Sequence, residues 1–199
     1  MSEEKVWRRI NWLGVVAGLF TLALPLMGAW WRLTLGDRAV IMAVSPFEVE
    51  VWFFGSEVVH SPLFWWICLA LKLVVVYLGM LLLVGSILTA SERRATAAET
   101  LVLFSARKLL WLVMAFVAAL LFLTVLLNYS SEAFGALIGG APLQLRSALP
   151  YFYGEGSVVI ELANARFSAP VRMTLTLAFV AAVLAAVLGV ASRIYQKRL

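Results

Sequence analysis

The sequence predicts an all-α membrane protein, a four-transmembrane-helix bundle with a small extracytoplasmic β-rich layer formed by two outer loops. The 199 residues are 63% hydrophobic, with a mean hydropathy of +0.96, and a soluble domain of this size cannot bury so many apolar side chains. Four stretches approach the roughly 20 apolar residues that cross a bilayer. Basic residues concentrate at one end of those stretches.

The four membrane helices are predicted at about 10–31, 62–90, 108–129 and 170–193, with outer loops 32–60 and 130–169, in one integral membrane domain over residues 1–199. The first apolar run is too long for the core of a signal peptide, and no small-residue cleavage site follows it. Cys68 is the one cysteine in the sequence, which excludes an intrachain disulfide.

Charge distribution predicts a multi-pass protein of the cell membrane with both termini in the cytoplasm. Three short segments share one side of the membrane, and the positive-inside rule assigns that side to the cytoplasm. Their basic residues are Lys5, Arg8, Arg9, Arg93, Arg94, Arg107, Lys108, Arg193, Lys197 and Arg198. The formal charge of +5 therefore favours anionic lipid as the counter-surface. No nucleic-acid partner is predicted, since no aromatic residues alternate with Arg93 and Arg94.

Small and polar residues form a stripe on the first helix. Gly14, Gly18, Thr21, Pro25 and Gly28 fall within an arc of about 80° on a helical wheel. The Gly14–Gly18 pair matches the GxxxG pattern that allows two backbones to approach closely. The proline removes one helical hydrogen bond and frees the carbonyl of the threonine four residues earlier.

The second helix carries a matching stripe. Ser61 and Pro62 are typical of a helix start. Within an arc of about 60° lie Trp65, Cys68, Lys72, Gly79 and Ser86. Trp65 and Trp66 are predicted to mark the outer membrane interface, and Trp30 and Trp31 to do so for the first helix.

Lys72 is the sharpest candidate for a functional residue, because an ionisable side chain at membrane depth is rare. It either snorkels to the outer interface with its stem in the bundle, contacts a ligand or another subunit, or lines a transport pathway. Measured from the tryptophans of each helix, Lys72 and Thr21 lie at similar predicted depths in the membrane. We therefore also predict that the Lys72 ammonium donates to the hydroxyl or the freed carbonyl of Thr21.

The first outer loop is predicted to form an antiparallel meander. Arg32–Leu35 alternates, Gly36-Asp37 forms a turn, and Ala39–Val44 is β-rich. Residues 47–53 alternate apolar and acidic side chains, with Phe47, Val49, Val51 and Phe53 on one face. Glu48, Glu50 and Trp52 lie on the other face and, with the lone histidine His60, are candidate partner contacts at the outer surface.

The remaining chain predicts two further helices and one more strand. The third helix starts near Ala97 and ends at Tyr129, and Ser157–Leu162 is a strand that joins the sheet of the first loop. Pro170 is predicted to open the fourth helix as Pro62 opens the second. Its small-residue stripe comprises Ala178, Ala182, Ala185, Ala186 and Gly189.

No convergent catalytic set, metal-ligand spacing or cofactor motif is present, so no cofactor is predicted. The predicted topology, with four membrane helices, β-rich outer loops and cytoplasmic termini, resembles that of tetraspan proteins such as claudins and tetraspanins. The resemblance is limited to topology. Their outer-loop cysteine pairs are absent, and Trp30, Trp31 and Trp52 do not reproduce the claudin pattern, so no family is assigned.

The leading functional prediction is a non-catalytic structural or accessory subunit. It binds other membrane proteins, or its own copies, through its helix faces and outer β-layer. The first alternative is a small transporter or channel component with Lys72 in an oligomeric pathway. The second is a membrane enzyme that uses the outer acids Glu48, Glu50 and Glu57.

Overall fold

The computed structural model describes residues 10–58, 62–129, 144–148, 150, 152–162 and 165–196. This part of the chain forms four α-helices and one seven-stranded antiparallel sheet. The helices are α1 (Trp12–Ala23), α2 (Pro62–Leu88), α3 (Ala95–Tyr129) and α4 (Leu177–Gln196). The strands are β1 (Trp31–Leu35), β2 (Val40–Ser45), β3 (Glu48–Phe53), β4 (Ser56–Glu57), β5 (Gln144–Ala148), β6 (Gly154–Leu162) and β7 (Ala165–Leu175).

Three of the helices are long and apolar enough to cross a membrane. These are α2, residues Ala95–Leu126 of α3, and α4. They confirm the membrane-protein class and the predicted second and third apolar spans. The structure supports the four-helix bundle only in part, because α1 is short.

The prediction that the first helix covers residues 10–31 is wrong in its length. α1 ends at Ala23 and continues only as the 3-10 turn Leu24–Leu26. Pro25 cannot donate to the helical ladder, and the backbone N–H of Leu24 is shared between the carbonyls of Phe20 and Thr21. Gly28 then turns the chain with a φ of +76°.

Trp30 and Trp31 do not lie at a lipid interface, which corrects the predicted aromatic belt on the first helix. Both side chains are fully buried. Trp31 begins β1, and its Nε1 donates to the carbonyl of Phe152 at 2.7 Å. Trp30 packs edge-on against Phe47 and Phe116, with ring centroids 5.6 and 5.1 Å apart. The pair therefore anchors the sheet instead of meeting lipid.

Pro170 lies within β7, and the fourth helix begins seven residues later than predicted, at Leu177. The ladder between β7 and β1 starts at Val171, which pairs with Leu35. Beyond that end, the carbonyl of Pro170 accepts from Gly36 N at 2.8 Å. The missing N–H of the proline costs no hydrogen bond to β1 at this position. All five small residues of the predicted α4 stripe are buried.

The first of two compact units, residues 1–28, 62–115 and 177–199, contains α1, α2, α4 and the part of α3 before residue 116. Small residues bring their backbones together. A Cβ added at Gly18 would lie 3.0 Å from the backbone nitrogen of Leu83, and one at Gly85 would lie 3.0 Å from the Cβ of Leu101. Ala17, Leu82 and Val102 form the buried apolar core between α1, α2 and α3.

The second unit, residues 29–61 and 116–176, contains the sheet in the order β4-β3-β2-β1-β7-β6-β5. The predicted meander is confirmed as β1, β2 and β3, although Phe47 lies in the turn before β3. The predicted strand Ser157–Leu162 lies within β6 and belongs to the same sheet, but β7 separates it from β1. The sheet is larger than the predicted layer because β4, β5 and β7, the last of which precedes the fourth helix, are also strands.

Candidate functional site

The stripes predicted on the first two helices face each other inside the helical unit. A Cβ added at Gly14 would overlap Ser86 Oγ, and one at Gly79 would lie 2.9 Å from the Cγ of Leu22. Gly14, Gly18, Gly79 and Ser86 are all buried. These residues hold α1 against α2 within one chain, so the same surface is not open to a second protein.

Asn11 joins three helices and is a residue that the sequence reasoning missed. Its Oδ1 accepts from Gly14 N at 3.2 Å, which caps α1. Its Nδ2 donates to the carbonyl and the Oγ of Ser192 in α4, at 2.9 and 3.0 Å. Its backbone N–H donates to the carbonyl of Ser86 and to Thr89 Oγ1, both at 3.2 Å. The Asn11 side chain thus caps α1 and bonds to α4, and its backbone N–H bonds to the end of α2. We call these residues the Asn11 cluster.

The predicted hydrogen bond between Lys72 and Thr21 is not formed in the structure. Thr21 is fully buried, and its Oγ1 donates to the carbonyl of Ala17 at 2.7 Å. Since Gly79 lies opposite Leu22, Lys72 lies about 10 Å further toward the start of α2. No hydrogen bond or ion pair joins Lys72 to another described residue. Lys72 and Cys68 are half-buried, and a role for either residue stays a prediction.

We expect Lys72→Met and Thr21→Val to act independently, because the two side chains do not bond to each other. The double variant should equal the sum of the single variants within about 0.5 kcal/mol in detergent unfolding. Asn11→Ala with Ser192→Ala is the matched positive control, since Asn11 Nδ2 donates to Ser192 Oγ at 3.0 Å. An interaction energy above about 1 kcal/mol for the first pair would restore the predicted contact.

The sheet unit carries a concave surface that forms an open pocket with a volume of about 780 Å³. Side chains from four strands form it in two cross-strand rows, which the pairing register sets. One row is Glu50, Ala43, Arg32 and Thr174, and the other is Trp52, Ile41, Thr34 and Arg172. The turn residues Gly36, Asp37 and Arg38 complete the lining. We call this surface the sheet cradle.

Two of the three cradle arginines have no ion-pair partner among the described residues, Arg32 and Arg38. The third, Arg172, lies 3.5 Å from Glu155 through its Nε, in a pair that is largely exposed. Glu50 accepts a long hydrogen bond from Trp52 Nε1 at 3.4 Å. With Asp37, the cradle holds two carboxylates against three guanidinium groups. The cradle therefore presents guanidinium groups beside an aromatic ring, which is typical of surfaces that bind carboxylates and apolar side chains.

The predicted outer contacts are only partly brought together. Glu50 and Trp52 line the cradle, whereas Glu48 is further along the same face of β3 and pairs with Ser45. His60 lies outside the described residues. Among the residues that the structure describes, no group of three or more His, Cys, Asp or Glu side chains is arranged to hold a metal ion. Sequence reasoning missed the arginines because a charge count does not show which loop residues strand pairing brings together.

The described helices and sheet define a membrane protein with three candidate spans and a separate antiparallel sheet. Comparison of the chain with protein-family models, with curated proteins and with solved structures gives no match.

Proposed function

We propose that this chain is a non-catalytic accessory subunit of a membrane complex and that it binds a partner protein through the sheet cradle. The observation that carries the proposal is the cradle itself, where Arg32 and Arg38 stand without an ion pair to a described residue beside Trp52. Aromatic and arginine side chains contribute most of the binding free energy at many protein interfaces.

The packing of the helical unit supports assigning the partner to the sheet. The small-residue faces of α1 and α2 contact each other, and the corresponding face of α4 is buried. The outward side chains of α2 are large and apolar, as at Leu73 and Tyr77, which are 63% and 60% exposed. A helix in lipid presents such side chains to acyl chains. The helices therefore serve as the anchor in this proposal.

The proposed setting is the cell membrane, with a multi-pass chain and cytoplasmic termini. Only residues 89–94 separate α2 from α3, so the chain returns to one side before it forms β5, β6 and β7. Arg93 and Arg94 lie in that short connection, which the positive-inside rule places in the cytoplasm. The sheet segments then share the outer side.

Site-specific photo-crosslinking from the cradle tests the proposal. A photoreactive amino acid at position 52 is expected to join a second protein in intact membranes, whereas the same group at Val51, on the opposite sheet face, serves as the matched control. Adding Arg32→Gln should lower the yield from position 52 about tenfold, because a desolvated charge contact is worth about 1.4 kcal/mol or more. Equal yields from positions 51 and 52, or no adduct from either, would contradict the proposal.

A further inference from the structure

The hairpin between β3 and β4 turns on two residues with positive φ. Phe54 has a φ of 47° and Gly55 a φ of 83°, and Phe53 pairs with Ser56 across the turn. A two-residue turn with both φ values positive strongly favours Asn, Asp or Gly at its first position. A bulky phenylalanine in this region is a genuine outlier, and its backbone is strained.

The neighbouring turn contains the second such outlier. Arg38 has a φ of 65°, in the turn that joins β1 to β2. Phe54 N donates to the carbonyl of Ala39 at 2.8 Å, which places the two turns side by side at one end of the sheet. Among the residues that the structure describes, Arg38 and Phe54 are the two non-glycine residues with positive φ.

Contacts within the described chain do not offset this strain. The Phe54 side chain is 84% exposed, so its ring gains little from burial. Arg38 is exposed and makes no ion pair with a described residue. Strained backbone positions persist where the surrounding structure or a function requires the particular side chain. Because folding alone would favour Asn or Gly at both positions, a function is the better explanation.

We propose that these two turns, which we call the tip, are the anchor of the partner interface. Phe54 enters an apolar pocket of the partner protein, and Arg38 pairs with a carboxylate beside that pocket. This inference rests on the proposed function and adds the partner's chemistry to it. The exposed carboxylates Asp37 and Glu57 flank the tip, so the tip has no net positive charge that would attract an anionic lipid surface, whereas a partner protein can place a single carboxylate opposite Arg38. A protein partner therefore fits this end of the sheet better than a membrane surface does.

Phe54→Asn and Arg38→Asn test the tip, because asparagine tolerates the left-handed conformation. Each variant is expected to raise the unfolding midpoint of the purified protein by about 2–4 °C. Each should also lower partner crosslinking from position 52 at least about tenfold. Phe54→Tyr, which keeps the ring and the strained turn, is the matched control. It should retain crosslinking without a gain in stability.

The possible results separate this inference from the proposed function. Asparagine variants that keep wild-type crosslinking, or that fail to raise the midpoint, would overturn the tip as anchor while the cradle proposal stands. Absence of any adduct from position 52 in the protein with an unaltered tip would overturn both. For the lipid alternative, a dye on Phe54→Cys in a Cys68→Ser background is placed in liposomes of equal parts phosphatidylcholine and phosphatidylglycerol. Quenching of that dye by brominated phosphatidylcholine would also overturn the tip; no quenching is expected.

Discussion

Replacing Gly14 with alanine is expected to destabilise the helical unit by about 3 kcal/mol. The added Cβ would overlap Ser86 Oγ and lie 2.6 Å from Ser192 Oγ. Neither hydroxyl can move aside without cost. Ser86 Oγ donates to the carbonyl of Leu82 at 2.6 Å, and Ser192 Oγ accepts from Asn11 at 3.0 Å. The methyl group therefore forces α1 away from α2 and α4 and breaks the Asn11 cluster.

Gly189→Ala is the matched control for this prediction. A Cβ at Gly189 would meet its nearest neighbour, the Cβ of Ala106, at 3.4 Å, which is ordinary van der Waals contact. We expect this variant to be as stable as the wild type or up to about 1 kcal/mol more stable, because alanine favours a helix interior over glycine. Unfolding of both variants in mild detergent, followed by circular dichroism, measures the difference. Equal stabilities would mean that α1 does not pack at Gly14 as described.

Asn11→Ala is the second substitution with a large expected effect, a loss of about 3 kcal/mol. Loss of the helix cap contributes about 1 kcal/mol. Part of the remainder comes from the two bonds that Nδ2 donates to Ser192, whose carbonyl is left buried without this donor. Interhelical hydrogen bonds in membranes average about 0.6 kcal/mol, so the two lost bonds contribute about 1 kcal/mol, and the space left by the fully buried amide contributes the rest.

Asn11→Ser separates the two functions of this side chain. Serine is as good a cap as asparagine but carries no amide to donate to Ser192. We therefore expect the serine variant to recover the capping contribution of about 1 kcal/mol and to remain about 2 kcal/mol less stable than the wild type in the same unfolding experiment. A serine variant as stable as the wild type would show that the bonds to Ser192 contribute nothing.

Residue patterns predicted the parts of the fold that depend on local composition. The long apolar runs predicted α2 and α3, because length and hydropathy alone decide whether a helix suits a bilayer. The alternation in residues 47–53 predicted β3, since a half-buried strand repeats every two residues. The glycines of α1 and α2 predicted close packing, and the structure places them against each other.

The errors arose where a tertiary contact decides between two local readings. From sequence alone, Pro170 is equally compatible with the start of a helix and with the end of a strand ladder. The pairing of β7 with β1 decides in favour of the strand. Trp30 and Trp31 match an interfacial belt, yet the Phe47, Phe116 and Phe152 contacts bury them.

Two features of the candidate sites needed the structure. The cradle brings together arginines from β1, β7 and a turn. Asn11 reads as an ordinary polar residue before a helix until the ends of α2 and α4 are placed beside it.

Native mass spectrometry of the protein extracted from its membrane in lipid nanodiscs tests whether this chain is an accessory subunit. We expect a heteromeric complex in which one copy of this chain binds an unrelated membrane protein, with crosslinks that map to the sheet cradle. Arg32→Gln should release that partner while the helical unit stays folded. A monomer, or a homo-oligomer with crosslinks between helices, would contradict the assignment of an accessory subunit that binds through its sheet.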